Sequence, residues 1–301
     1  MIHYLSLLLI EQFSFLNIFK YITFRASGAF ITSILISFIV GPFLIKYFKK
    51  KQKLGQPIRE DGPKWQIEAK KGTPTMGGAL ILLSLTASII LWTDIKNVYI
   101  WLLLFITLTF GLIGFVDDYL KLKNFSFKGL SGKIKIIIQS LVTLIFVCLL
   151  LNLSEDSNTL ILFPIFKNIF LDLGYFWLIF SMVVIIGSSN AVNLTDGLDG
   201  LAIVPIIIVL STFSIISYLV GNSIYAQYLS IPYINGVGEI AVFCAAFIGA
   251  GLGFLWFNAP PAKIFMGDTG SLSSGAAIGS ISVITKNEIV LLIAGGLFVL
   301  E

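Results

Sequence analysis

Charge is scarce in this chain: 12% of its 301 residues are Asp, Glu, Lys or Arg, against 57% hydrophobic. Mean hydropathy is +0.95. A soluble domain devotes about a quarter of its residues to charge, so that class is excluded. Histidine and cysteine are almost missing, with one and two residues. Two thiols build neither a disulfide framework nor a metal-thiolate cluster. Cys148 and Cys244 both fall within apolar runs, where both are expected as small buried hydrophobes. The sole histidine, His3, stands at the extreme N-terminus, where neither a catalytic nor a metal role is expected. The first ten residues have no basic n-region and no small-residue cleavage site, so no cleaved signal peptide is expected. Low-complexity segments and internal repeats are also missing, and the latter are common in transporters.

What the chain has instead is long apolar runs. They cover 26–45, 76–93, 98–116, 134–151, 176–192, 201–220, 238–257 and a Gly/Ser-rich stretch at 270–284. A bilayer core takes roughly 20 apolar residues per helix, so the fold class is an all-α polytopic helical bundle with eight complete spans. A ninth run begins near Ile289 and reaches Glu301, too few residues to cross alone. Pro205 lies inside the 201–220 run and is expected to kink it. Segment 160–175 is apolar but broken by turn residues, which suits an external hairpin or interfacial piece.

The net charge of +4 does not call for nucleic acid, because cation excess in a membrane protein reflects topology. Loop 46–71 carries nine Lys and Arg residues, loop 117–135 five, and loop 258–268 Lys263. The alternate connections carry Lys96, Lys167 and Lys286, with Lys20 and Arg25 before the first span. Fifteen against five makes the first set cytoplasmic and places the N-terminus outside, although Lys20 and Arg25 oppose that orientation.

Five aspartates stand apart. Asp117 and Asp118 follow the third span, Asp196 and Asp199 lie between the fifth and sixth, and Asp268 follows the seventh. All five fall at the end that the cation count makes cytoplasmic. Helix capping in water would explain any one of them, and explains Asp199 as well as a site does. It explains the set poorly, since adjacent carboxylates repel unless a positive group is near. Asp196 and Asp268 also sit in Gly-, Asn- and Thr-rich turns whose amides can approach an anion. Carboxylates and amide oxygens without His or Cys are hard ligands that suit magnesium, which binds one or two carboxylates plus substrate phosphates. Lys70, Lys71, Lys121, Lys133 and Lys263 share these loops. Singly each is a topology signal; with the aspartates they meet the needs of phosphoryl transfer, where phosphoryl charge must be neutralised. A site at the bilayer surface can receive a soluble anion and a lipid phosphate together.

Four stretches carry a resemblance: Gly-Thr-Pro-Thr-Met-Gly-Gly (72–78), Asp-Asp-Tyr (117–119), Asn-Ala-Val-Asn-Leu-Thr-Asp-Gly-Leu-Asp-Gly (190–200) and Phe-Asn-Ala-Pro-Pro-Ala-Lys-Ile-Phe-Met-Gly-Asp-Thr-Gly-Ser (257–271). In order and spacing they resemble bacterial phospho-N-acetylmuramoyl-pentapeptide transferase, a branch of the polyprenyl-phosphate N-acetylhexosamine-1-phosphate transferases. The resemblance implies transfer of phospho-MurNAc-pentapeptide from UDP-MurNAc-pentapeptide to undecaprenyl phosphate in the bacterial inner membrane. The products are lipid I, for peptidoglycan, and UMP, and the cofactor is magnesium. It implies Asp268 as principal metal ligand with Asn193 second or indirect. It places Asp117 and Asp118 at the lipid phosphate, with Asp117 as general base, and makes Asp117, Asp118 and Asp268 the catalytic set. Lys70, Thr75, Asn190, Asp196, Asp199 and Asn258 are implied around the substrate, Phe265 against uracil, and Lys121 and Lys133 at phosphates. A homodimer is one candidate assembly.

The family continues through a tenth span and a His-rich last cytoplasmic loop. This chain stops inside its ninth run, so a single transmembrane domain over 1–301, truncated before that loop, is expected. The mechanism is open between direct attack by the lipid phosphate, which is favoured, and a covalent aspartyl intermediate. Two other functions compete. A sister transferase using UDP-GlcNAc shares the Asp-Asp pair and the Asp-Gly-Leu-Asp-Gly turn. A transporter would place ionisable groups near mid-span, where these spans have almost none.

Overall fold

A computed structural model of the protein describes residues 1–52, 72–124, 129–153, 159–163 and 170–300. The elements run α1 (Ile2–Leu9), a 3-10 turn (Ser14–Lys20), α2 (Ile22–Lys51), α3 (Gly78–Trp92), α4 (Val98–Lys123) and α5 (Gly132–Leu153). Strands β1 (Leu160–Leu162) and β2 (Phe170–Asp172) follow, then α6 (Phe176–Thr195), α7 (Ile203–Val220) and α8 (Ser223–Leu229). The chain continues with α9 (Ile240–Asn258), α10 (Gly267–Ile284), α11 (Glu288–Ala294) and α12 (Leu297–Leu300). Helices thus form at all eight expected spans. Six are long and apolar enough to cross a membrane: α2, α4, α5, α6, α7 and the Val237–Asn258 stretch that contains α9. The protein is a multi-pass helical membrane protein.

The other two differ for physical reasons. Helix α3 has 15 residues, a rise of about 22 Å, and non-helical residues 73–76 lead into it. Helix α10 is the centre of the bundle, packed against α4 and α6, and every residue after Asp268 is buried. It needs no lipid-facing surface, and it is rich in Gly, Ala and Ser. The hydroxyls of Ser273 and Ser274 bond carbonyls one turn back, Thr269 O at 2.8 Å and Gly270 O at 2.7 Å. A Cβ at Gly275 would lie 2.5 Å from Ser188 O on α6, so the small residue permits the close approach.

Two expectations are corrected, those for Pro205 and Cys148. Pro205 sits in the first turn of α7, where its missing N–H has no intrahelical partner to lose, so it does not kink the helix; the proline inside a helix is Pro42 in α2. Cys148 is exposed on the outward face of α5, whereas Cys244 is buried. Arg25 pairs with Glu239 across the bundle at 2.6 Å, both terminal guanidinium nitrogens engaged, so its charge is neutralised locally. Within 160–175, Leu160–Leu162 and Phe170–Asp172 pair antiparallel, Leu160 opposite Asp172 and Ile161 opposite Leu171. The ninth run forms only the short α11 and α12.

Candidate functional site

Adjacent residues on a helix point about 100° apart, so Asp117 and Asp118 in the last turns of α4 face different neighbours. Asp118 turns to the N-terminus of α10. Its Oδ1 accepts from the Asp268 amide at 3.1 Å, and its Oδ2 from the Thr269 amide and hydroxyl at 3.0 and 2.8 Å. Asp117 turns to the loop before α5, where its Oδ1 accepts from the Leu130 amide at 2.7 Å. A Cβ at Gly129 would lie 2.5 Å from that oxygen, so glycine admits the loop. Both carboxylates are 1% exposed.

Two ammoniums join Asp117 to Asp268. Lys121, one turn after Asp117, lies 2.6 Å from Asp117 Oδ2 and 3.0 Å from Asp268 Oδ1. Lys135, from the first turns of α5, lies 2.7 Å from Asp268 Oδ2 and 3.4 Å from Asp117 Oδ2. The result is a four-membered charge cluster at one end of the bundle, with two anions and two cations on three helices.

The 72–78 stretch supports this end. The Gly77 and Gly78 amides donate to Phe265 O at 2.8 Å and Met266 O at 2.9 Å, and the Phe265 amide donates to Pro74 O at 2.9 Å. Gln52 holds Thr75 from the other side, its Oε1 accepting from the Thr75 amide at 2.9 Å. Gly267, at φ +71°, would clash with Asp118 and Thr75 if it carried a Cβ. Gly114 lets α4 run against the Asp268 carbonyl, where a Cβ would lie 2.1 Å away. These close approaches hold the first turn of α10 against α3 and α4.

The remaining expected residues lie around this core. Asn190 donates to Gln139 Oε1 at 2.9 Å and to Ile186 O at 2.8 Å. Asn193 accepts from the Ser271 hydroxyl at 2.6 Å. Asp196 is half-buried where α6 ends. Asn258 is buried and bridges two loops, accepting from the Gly200 amide and donating to Ile264 O, each at 2.9 Å. Asp199 accepts from the Ala262 amide at 3.2 Å. Phe265 and Thr75 are half-buried and buried, and Lys133 is exposed on α5. Lys70 lies outside the described residues.

Sequence reasoning missed Lys135, Gln139, Gln52 and Ser271. A signal for the first two existed: Lys135, Gln139 and Thr143 recur every four residues in an otherwise apolar run, one polar stripe on one helix face. The Ile137 that follows Lys133 at the same spacing is exposed with it.

The donor set also fits a magnesium ion. Asp117 and Asp268 present hard oxygens toward the same two cations, and magnesium needs only one or two carboxylates beside substrate phosphates and water. Among the described residues no group of three or more His, Cys, Asp or Glu is placed to hold a metal, so a closed all-protein cage is not formed.

The family model for glycosyl transferase family 4 matches residues 100–286. Residues 70–82 match the phospho-N-acetylmuramoyl-pentapeptide-transferase signature 1, and residues 74–78 of that stretch brace the start of α10. The chain is 54% identical to the phospho-N-acetylmuramoyl-pentapeptide-transferase of Granulibacter bethesdensis over 294 residues, 97% of this chain and 81% of that one. The protein of the same name from Pelagibacter ubique is 54% identical over 302 residues, covering 100% and 83%. That of Rickettsia prowazekii is 55% identical over 285 residues, covering 95% and 79%.

Proposed function

This chain belongs to the phospho-N-acetylmuramoyl-pentapeptide-transferase family, and we propose that it moves phospho-MurNAc-pentapeptide from its UDP-linked donor to undecaprenyl phosphate. The observation that carries the reading is the cluster of Asp117, Asp268, Lys121 and Lys135 at one end of a lipid-embedded bundle. The fifteen-to-five division of Lys and Arg between loop sets supports a cytoplasmic position for that end and an external N-terminus.

In the reaction an oxygen of the lipid phosphate bonds to the sugar-bearing phosphorus of the donor, the bond to the UMP oxygen breaks, and UMP leaves. Asp117, held by the Leu130 amide through one oxygen, takes the acceptor's remaining proton with the other. Lys121 and Lys135 exchange their carboxylate partners for phosphate oxygens and neutralise charge on the transferred group and on UMP. Asp268 would hold magnesium, with Asn193, whose Oδ1 accepts from the Ser271 hydroxyl, as a second or indirect ligand. When bound, that ion supplies Lewis-acid polarisation of the phosphates. Asn190, Asp196, Asp199, Asn258, Phe265 and Thr75 shape the nucleotide side, the last four through the loops they tie together. Attack is direct, because the acceptor phosphate is itself a competent nucleophile.

Detergent-solubilised protein supplied with undecaprenyl phosphate and UDP-MurNAc-pentapeptide should release UMP and form the lipid-linked product only when magnesium is added. Turnover with UDP-GlcNAc alone would assign the chain to the sister reaction. A phospho-aspartate trapped in a single turnover would replace direct attack with the covalent route.

A further inference from the structure

We propose that Asp118 is a positioning residue, which with Thr269 as its partner caps α10 from the neighbouring helix and does not meet the lipid phosphate. The proposal rests on the transferase reading only for the reaction it serves. Three donors occupy the two oxygens of Asp118: the amides of Asp268 and Thr269 and the Thr269 hydroxyl. The first amides of a helix have no intrahelical acceptor, and α10 has no side-chain cap of its own. Buried there, those amides need one. A carboxylate fills the need with charge-assisted bonds and complements the positive end of the helix.

Space closes the alternative. Gly267, at φ +71°, leaves no room for even a methyl group beside Asp118 Oδ2, since its Cβ would sit 2.6 Å away. Asp118 is also 1% exposed, and a phosphate brought to a carboxylate whose donors are already engaged would meet only repulsion. Asp117, by contrast, turns its Oδ2 to the Lys121 and Lys135 ammoniums, 2.6 and 3.4 Å away. The consequence of the cap is register: it fixes the turn from which Asp268 reaches Lys121 and Lys135. A shift of about 1 Å there is enough to cost about a hundredfold in rate.

Amide hydrogen exchange on the full chain in detergent tests this without substrate. The peptide over 264–272 should exchange slowly in the native protein, about tenfold or more faster in Asp118→Asn, and unchanged in Asp117→Asn. With substrates, Thr269→Ser should stay within about threefold of native turnover. Thr269→Val should lose about tenfold in kcat at unchanged KM for undecaprenyl phosphate, and the Asp118→Asn/Thr269→Val pair should be no worse than Asp118→Asn alone. If Asp118→Asn does not fold, Thr269→Val decides by the same two readouts, faster exchange and lower kcat. Native exchange at 264–272 in whichever variant folds, or a KM for undecaprenyl phosphate raised tenfold in Asp118→Asn, would overturn the proposal. A native chain with no transferase activity would overturn the functional reading and leave the exchange result standing.

Discussion

The two ends of the bundle both carry buried ion pairs, and they are built differently. At the N-terminal end of α2, Arg25 and Glu239 bond through both terminal guanidinium nitrogens, and Glu239 also accepts from the Asp94 amide at 3.2 Å. The Arg25 side chain is 3% exposed. At the other end Lys121 and Lys135 keep 20% and 14% exposure, and each divides itself between two carboxylates. A planar guanidinium matched to one carboxylate is a fixed fork, while an ammonium on a flexible stem is a point charge that changes partners. The first arrangement locks helices; the second can release its carboxylates to a phosphate.

The difference is sharpened most by removing one charge from each end. Asp268→Asn and Asp117→Asn should each lower turnover about 10²–10³-fold with little change in detergent melting temperature. Native-like turnover in both would remove the site from this end. At the far end Arg25→Met should cost about 3–5 kcal/mol of stability, because it strands a buried Glu239. Turnover per folded molecule should stay native there, and Arg25→Met combined with Glu239→Leu should recover most of the loss in thermal unfolding. A smaller effect separates the two lysines of α5. Lys135→Ala should reduce turnover about 10–100-fold, whereas Lys133→Ala should stay within about twofold, and equal losses would contradict the polar stripe.

The smallest effect belongs to a second pair at the far end. Lys286 lies 3.9 Å above the Trp177 ring, and burial raises the Glu288 carboxyl from its ordinary 4.5 to about 7. Because the folded pKa is the higher one, the folded chain holds this proton after the unfolded chain has lost it. Stability is therefore full below about pH 4.5 and declines as pH rises toward 7. Burial acts oppositely on Lys286, taking it down to about 8, which lowers stability as pH falls from 10.5 toward 8. Melting temperature should drop by a few degrees between pH 5 and about pH 7.5, and Glu288→Gln should flatten that slope. An unchanged slope would assign it elsewhere.

Membrane character, the eight helix positions and the family were legible along the chain, because apolar run length and motif order are local properties. The grouping of Asp117 with Asp268 and lysines was legible as well, through alternation of loops. Less visible was the division of labour within each motif. Asp117 and Asp118 are neighbours in sequence, and only the packing of α10 against α4 turns one toward the lysines and the other toward helix amides. Lys133 and Lys135 are two residues apart, and burial of one face of α5 separates an exposed cation from a member of the cluster. The Gly/Ser-rich run at 270–284 reads as a weak span, while its depth at the centre of the bundle depends on what surrounds it.

By itself the sequence determined that this protein lies in a bilayer, where its helices fall, and which residue types gather at one end. Hydrophobic length and charge scarcity leave a chain no other solution in water or lipid. Only the tertiary structure decided which carboxylate faces which partner. Side-chain direction turns by about 100° per residue, so a contact between α4 and α10 is set by helix packing and by the glycines that permit it. One-dimensional spacing does not contain that angle.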